Sequence, residues 1–164
     1  MGVQGIARDM TAHREAEQAL RERERFLSDV FASIQDAISV LDTEQRIIRV
    51  NPTVEKWHPH AMPVIGKKCY AAYHGRTEPC EICPTRRSLA EGVAACEVVP
   101  KSGPGGRTEG WLELYSFPMF DTVTGGITGV IEYARDISER RRAEQALRDS
   151  EEKYRTLIEA APEA

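Results

Sequence analysis

The chain repeats itself at its two ends. Residues 7–37 read ARDMTAHREAEQALRERERFLSDVFASIQDA and residues 134–164 read ARDISERRRAEQALRDSEEKYRTLIEAAPEA, in one register and without a gap. Residue 134 thus corresponds to residue 7, a spacing of 127 held throughout, and Ala-Glu-Gln-Ala-Leu-Arg at 16–21 and 143–148 is identical in both copies. That spacing is too long for a solenoid repeat and fits a whole domain with its connector. The chain therefore reads as one period of a tandem array. GVQGIARD at 2–9 also resembles GVIEYARD at 129–136. The expected division is residues 1–10 as the end of a preceding unit and 11–25 as a connector helix. Residues 26–137 form a complete unit, and 138–164 form a second connector with the start of a following unit.

The connectors are rich in Arg, Glu, Ala, Gln and Leu and lack Gly and Pro over 14–25 and 139–153, which favours helix. Helices are expected at about 11–34 and 138–160, with Thr11 and Ser138 as N-caps. Ala16, Leu20, Leu27, Val30 and Ile34 follow heptad steps with Arg23 as a flaw, and Ala143, Leu147, Tyr154, Leu157 and Ala161 repeat them with Ser150 at the flaw. Such a seam points to a homodimer through the connector helices. The alternative is a solvated helix covering one side of its own domain.

Between the connectors the period changes to two. Ala37–Leu41 alternates, Asp42–Gln45 turns, and Arg46–Val50 is a second strand, giving a hairpin. Asn51-Pro52 ends it and opens a helix. Residues 52–93 carry five of the prolines and every histidine except His13, and read as short helices and loops. Trp111, Glu113, Tyr115 and Phe117 alternate with Leu112, Leu114 and Ser116, as a strand with two unlike faces does. The predicted fold is mixed α/β (α+β): five antiparallel strands at about 37–42, 46–50, 95–100, 108–118 and 126–136, framed by the connector helices.

Composition excludes several classes. With 41% hydrophobic and 29% charged residues the chain is not a wholly disordered one. Its net charge of −4 gives no basic face for nucleic acid. No apolar run approaches the ~20 residues of a membrane helix, and the first residues lack the layout of a signal peptide. The expectation is a cytoplasmic segment with no membrane or nucleic-acid contact of its own. Nucleophile elbows, P-loops and Gly-rich nucleotide loops are also missing, so the segment is read as non-catalytic.

Four cysteines without a secretion signal suggest metal, redox chemistry or packing. Cys80 and Cys83 form a Cys-x-x-Cys pair between Pro79 and Pro84, Cys69 lies upstream in the same insert, and His74 and Cys96 are available as a fourth group. Three thiolates plus an imidazole, or four thiolates, suit zinc or an iron–sulfur cluster. A reversible disulfide and free thiols are the other two readings.

Several stretches resemble a known family: Ala37–Asp42, Val50-Asn51-Pro52, Trp111-Leu112-Glu113, and Gly129-Val130 running to Ala134-Arg135-Asp136-Ile137-Ser138-Glu139-Arg140. They are similar to those of PAS domains, the small sensory modules of bacterial signalling chains, and a subset of that family carries a similar Cys-Tyr…Gly-Arg…Pro-Cys-x-x-Cys-Pro insert. The resemblance implies a five-stranded antiparallel sheet covered on one side by short helices, with a ligand pocket between them that Trp57 would line. Asp136, where a strand gives way to a helix, is suited to capping that helix or pairing with an Arg, and so to relaying strand position. Asp9 is its counterpart in the first copy, and Trp111 belongs to the same relay. The implied role is a sensory and dimerisation module beside further PAS and effector domains, in a parent such as a sensor histidine kinase or a diguanylate cyclase. The rival is a structural spacer.

Overall fold

A computed structural model describes residues 3–103 and 107–159, with side chains from residue 12 onward. Helix α1 (Val3–Ser33) leads into the hairpin of β1 (Ala37–Asp42) and β2 (Ile47–Val50). Three short helices follow, α2 (Pro52–Trp57), α3 (Cys69–His74) and α4 (Pro84–Glu91), with a 3-10 turn at Pro59–Ala61. Then come β3 (Ala95–Ser102), β4 (Thr108–Phe120), β5 (Ile127–Asp136) and helix α5 (Ser138–Glu159). The strands form one antiparallel sheet in the order β2-β1-β5-β4-β3. This is the five-stranded α+β fold expected from the sequence.

The two faces of the sheet follow from alternation. On β4, Leu112 and Ser116 are buried while Trp111 and Phe117 are exposed. The buried face packs under the insert, where Leu41, Ile47, Val64 and Val130 are fully enclosed with Cys69 and Ala72. Thr85, Ser88 and Pro84 seat α4 on the same side.

Asn51 ties the start of the sheet together. Its Nδ2 donates to the carbonyls of Ile34 (3.1 Å) and Asp36 (2.8 Å), and its Oδ1 accepts from the amides of Ile38 (3.0 Å) and Val54 (3.4 Å). One side chain thus joins the end of α1, the start of β1 and the N-terminus of α2, where Pro52 occupies the position that needs no donor. Thr53 Oγ1 adds a bond to the Ile34 carbonyl (3.0 Å).

The start of one connector helix and the cap of the other differ from expectation. Helix α1 begins at Val3, so Thr11 lies inside it and not at its start. A helix satisfies its interior backbone groups without a partner strand, so α1 runs back past the expected start. At α5 the cap is Asp136 and not Ser138. Asp136 Oδ1 accepts from the Ser138 amide (2.9 Å), while Ser138 Oγ accepts from the Trp111 amide (2.9 Å).

Candidate functional site: a cavity between insert and sheet

The insert does not close on the sheet. A cavity of about 510 Å³ remains between them, within the size range of small-molecule sites. Trp57 and His58 wall it from the end of α2, Tyr73 and His74 from α3, and Glu132 from the floor of the sheet. Trp57 therefore stands on the cavity wall. His58 stands there too, its ring packed on Tyr73 at 4.8 Å between centroids.

Glu132 is 8% exposed and lies mid-sheet between its register partners Ser39 and Ser116. Its carboxyl group is hydrogen-bonded by Thr85 Oγ1, which also bonds Ser116 Oγ (2.9 Å). Ser39 Oγ bonds the Tyr73 hydroxyl (2.8 Å). Burial pushes the Glu132 carboxyl up to about 6, against the smaller opposing effect of the Thr85 bond. His58 is shifted the other way. Burial first, then the imidazoles of His60 and His74 and the Lys101 ammonium, lower it to about 4. Its Nδ1 is buried with no hydrogen-bond partner among the described residues.

Cys69, Cys80 and Cys83 all line this cavity, and all four cysteines are free thiols. Burial is the largest cause raising the thiols of Cys69, Cys80 and Cys83, and the Glu132 carboxylate adds to it in each. The expected four-ligand set is not assembled. Among the described residues no three of His, Cys, Asp or Glu are placed to hold a metal ion. The reasons are local. Cys83 is the N-cap of α4, its sulfur accepting from the Arg86 amide (3.4 Å). His74 Nδ1 bonds Ser102 Oγ (3.2 Å). Cys96 is exposed and lies on the opposite face, because strand alternation turns its neighbour Ala95 inward.

From the cavity a chain of contacts runs to α5. Lys101, on the wall, holds its ammonium 4.6 Å from the centroid of the Trp57 ring. The same Nζ pairs with Asp136 Oδ2 at 2.6 Å, whose other oxygen caps α5. The partner of Asp136 is thus a lysine on β3 and not an arginine. Burial alone would raise the Asp136 carboxyl; the Lys101 and Ser138 bonds outweigh it and hold it below the usual range. Trp111 locks the other side of the joint. Its carbonyl accepts from the Ile137 amide (2.9 Å), and its indole lies 4.3 Å from the Arg141 guanidinium. A Cβ at Gly110 would sit 2.0 Å from Ser138 Oγ and displace it from its bond to the Trp111 amide. Asp9 lies on α1, and its side chain falls outside the described residues.

The sequence did not single out Glu132, Lys101 or Tyr73. Glu132 was within reach: it occupies the inward register of β5 between Val130 and Ala134, where an ionisable residue breaks an apolar run.

The family profile described as PAS fold matches residues 31–142. No curated protein sequence matches the chain. Among solved structures it is similar to an RNA-binding light-oxygen-voltage receptor, with 24% identity and a TM-score of 0.63. That match covers 79% of this chain and 37% of the receptor chain, so the chain spans little more than a third of that relative. The PAS domain of a Colwellia psychrerythraea protein aligns with 19% identity and a TM-score of 0.54, over 74% of this chain and 98% of that one. The PAS domain of Bordetella pertussis BvgS aligns with 22% identity and a TM-score of 0.50, over 79% and 98%. Profile, strand order and the helix-covered cavity agree, and the chain belongs to the PAS fold family.

Proposed function

We propose that this segment is a sensory and dimerisation module in which occupancy of the cavity is relayed to α5, and through it to an effector domain outside the segment. One observation carries this reading. Lys101 touches the cavity and its Trp57 wall with one side of its head group and holds the cap of α5 with the other. A ligand that displaces Trp57 or draws on the ammonium changes how firmly Asp136 holds the first turn of α5. Such a relay needs a ligand that distinguishes the two arrangements.

The connectors supply the output. Leu20, Leu27 and Leu147 are each more than half exposed, as are Tyr154 and Leu157. These are the seam positions of the heptad pattern, and a second copy would cover them. In this reading residues 1–10 close a preceding unit, and 138–164 lead into a following one, the whole being a cytoplasmic segment of a parent of the histidine kinase or diguanylate cyclase kind.

Lys101→Met tests the relay. The variant keeps the stem over Trp57 and removes the charge. Amide hydrogen exchange in the first turn of α5 is expected to accelerate several-fold, with the β1–β2 hairpin unchanged. Unchanged exchange in α5 would leave the domain as a structural spacer. Leu27→Asp tests the dimer: light scattering at tens of micromolar is expected to show a shift towards monomer, because a charge in an apolar seam is costly.

A further inference from the structure

The cavity that the proposed sensor reads has a chemical bias. Glu132 lies on its floor, and Thr85 is the one hydrogen-bond partner of its carboxyl group among the described residues. No Lys, Arg or His pairs with it there. The groups around it are Ser39 from β1, Ser116 from β4, Thr85 from α4, Tyr73 and Cys69 from α3, and the thiols of Cys80 and Cys83. None of these carries positive charge in either protonation state.

The cations on the wall are committed or turned to solvent. Lys101 is held by Asp136, and Arg76 is exposed. His58 is neutral at neutral pH, because burial lowers it to about 4. An anionic ligand would meet a carboxyl group and three thiols. A neutral apolar one would leave the carboxyl group as it stands. A buried carboxylate without a counter-charge is strongly unfavourable, and a cationic donor removes that penalty with a charge-assisted hydrogen bond. The rings of Tyr73, His58 and Trp57 on the same cavity offer faces to the rest of such a molecule.

We propose that the cavity binds a small organic cation, whose ammonium or amidinium group donates to the Glu132 carboxylate. Binding to the protonated form releases one proton to solvent: the carboxylic acid gives up its proton, and the ligand's N–H then donates to the carboxylate. The proposal rests on the cavity being the input site, and its test separates the two.

Benzylamine and benzyl alcohol, which share a ring and differ in charge, are titrated into the full chain by calorimetry at pH 5 and pH 7. Between these values Glu132, at about 6, changes charge while His58, lowered to about 4, stays neutral; His74, also lowered by burial, stands on the same wall, and Glu132→Gln separates its contribution from that of Glu132. Benzylamine is expected to bind more tightly than the alcohol, and roughly tenfold more tightly at pH 7 than at pH 5. Glu132→Gln, which keeps the shape of the side chain, is expected to weaken benzylamine by at least about tenfold and to leave the alcohol unchanged. Should that variant fail to fold, the preference for the amine over the alcohol on the natural sequence decides alone. Benzylamine binding no tighter than the alcohol, independent of pH or of Glu132, overturns the ligand class, as does no benzylamine binding at all. Alcohol binding without amine preference would do so while leaving the cavity as an input site; the relay itself stands or falls on Lys101→Met.

Discussion

Asn51 and Glu132 are both polar, both removed from water, and placed in opposite circumstances. Asn51 has 0% exposure and four hydrogen bonds that use both ends of its amide. Glu132 has 8% exposure and, among the described residues, one side-chain partner. Around Asn51 the chain is fully paired, and the residue serves architecture. Around Glu132 pairing stops at Thr85, and a cavity begins. A buried polar group that is satisfied holds a fold together; one left short of partners is a place where something else can complete it.

The contrast is easiest to break at Asn51. Asn51→Ala removes all four bonds and the N-cap of α2; the Ile34 carbonyl keeps Thr53 and the Val54 amide keeps the backbone carbonyl of residue 51, while the Asp36 carbonyl and the Ile38 amide lose their Asn51 partner. The expected loss is on the order of 3 kcal/mol in urea unfolding, with the β1–β2 hairpin loosening first in hydrogen exchange. A loss below about 1 kcal/mol would remove the distinction between the two residues.

Glu132 predicts a smaller effect of opposite sign at neutral pH. Its carboxyl is raised from 4.5 to about 6, so the folded state binds the proton more tightly than the unfolded one. Its contribution is fully present below about pH 4.5 and is lost as pH rises through 6. His58, lowered from 6.5 to about 4, acts in the other direction: it destabilises the fold as pH falls through that window. The two partly cancel between pH 4 and 6.5 in the natural sequence. Glu132→Gln is expected to uncover the His58 slope and to raise stability at pH 8 by about 2 kcal/mol. Denaturant midpoints across pH 4–8 for both chains measure this directly.

The smallest expected effect belongs to Cys83. Its sulfur caps α4 at 3.4 Å, a place where a hydroxyl does better. Cys83→Ser should therefore cost nothing and gain up to about 0.5 kcal/mol in the same unfolding assay. A clear loss would mean that the thiol has a role beyond capping.

Much of the architecture could be read in advance because it is periodic or local. Alternation at 111–117 gave both faces of β4, and Asn51-Pro52 marked the end of one element and the start of the next. What could not be read depends on side chains meeting across distance. Lys101 and Asp136 are far apart in the sequence and meet only because β4 lies between β3 and β5. Cys96 was grouped with the other thiols by residue type, yet the parity of β3 turns it to the far face. Proximity in the insert did bring Cys69, Cys80 and Cys83 to one cavity. Whether they form a cage depends on where each sulfur points, and capping and packing decide that.

The strand order carries a consequence for synthesis on the ribosome. The last strand to emerge, β5, is the one that stands at the centre, between β1 and β4. Until residues 127–136 leave the exit tunnel, the nascent chain holds two separate hairpins, each with an open edge where β5 belongs. Neither edge can be covered by waiting for the other, so sheet closure is deferred to the end of translation of this unit and depends on contacts distant in the chain. The helix that follows β5 emerges immediately afterwards. The output element is thus made at the moment the sheet is completed, and a chain stopped short of residue 127 has neither.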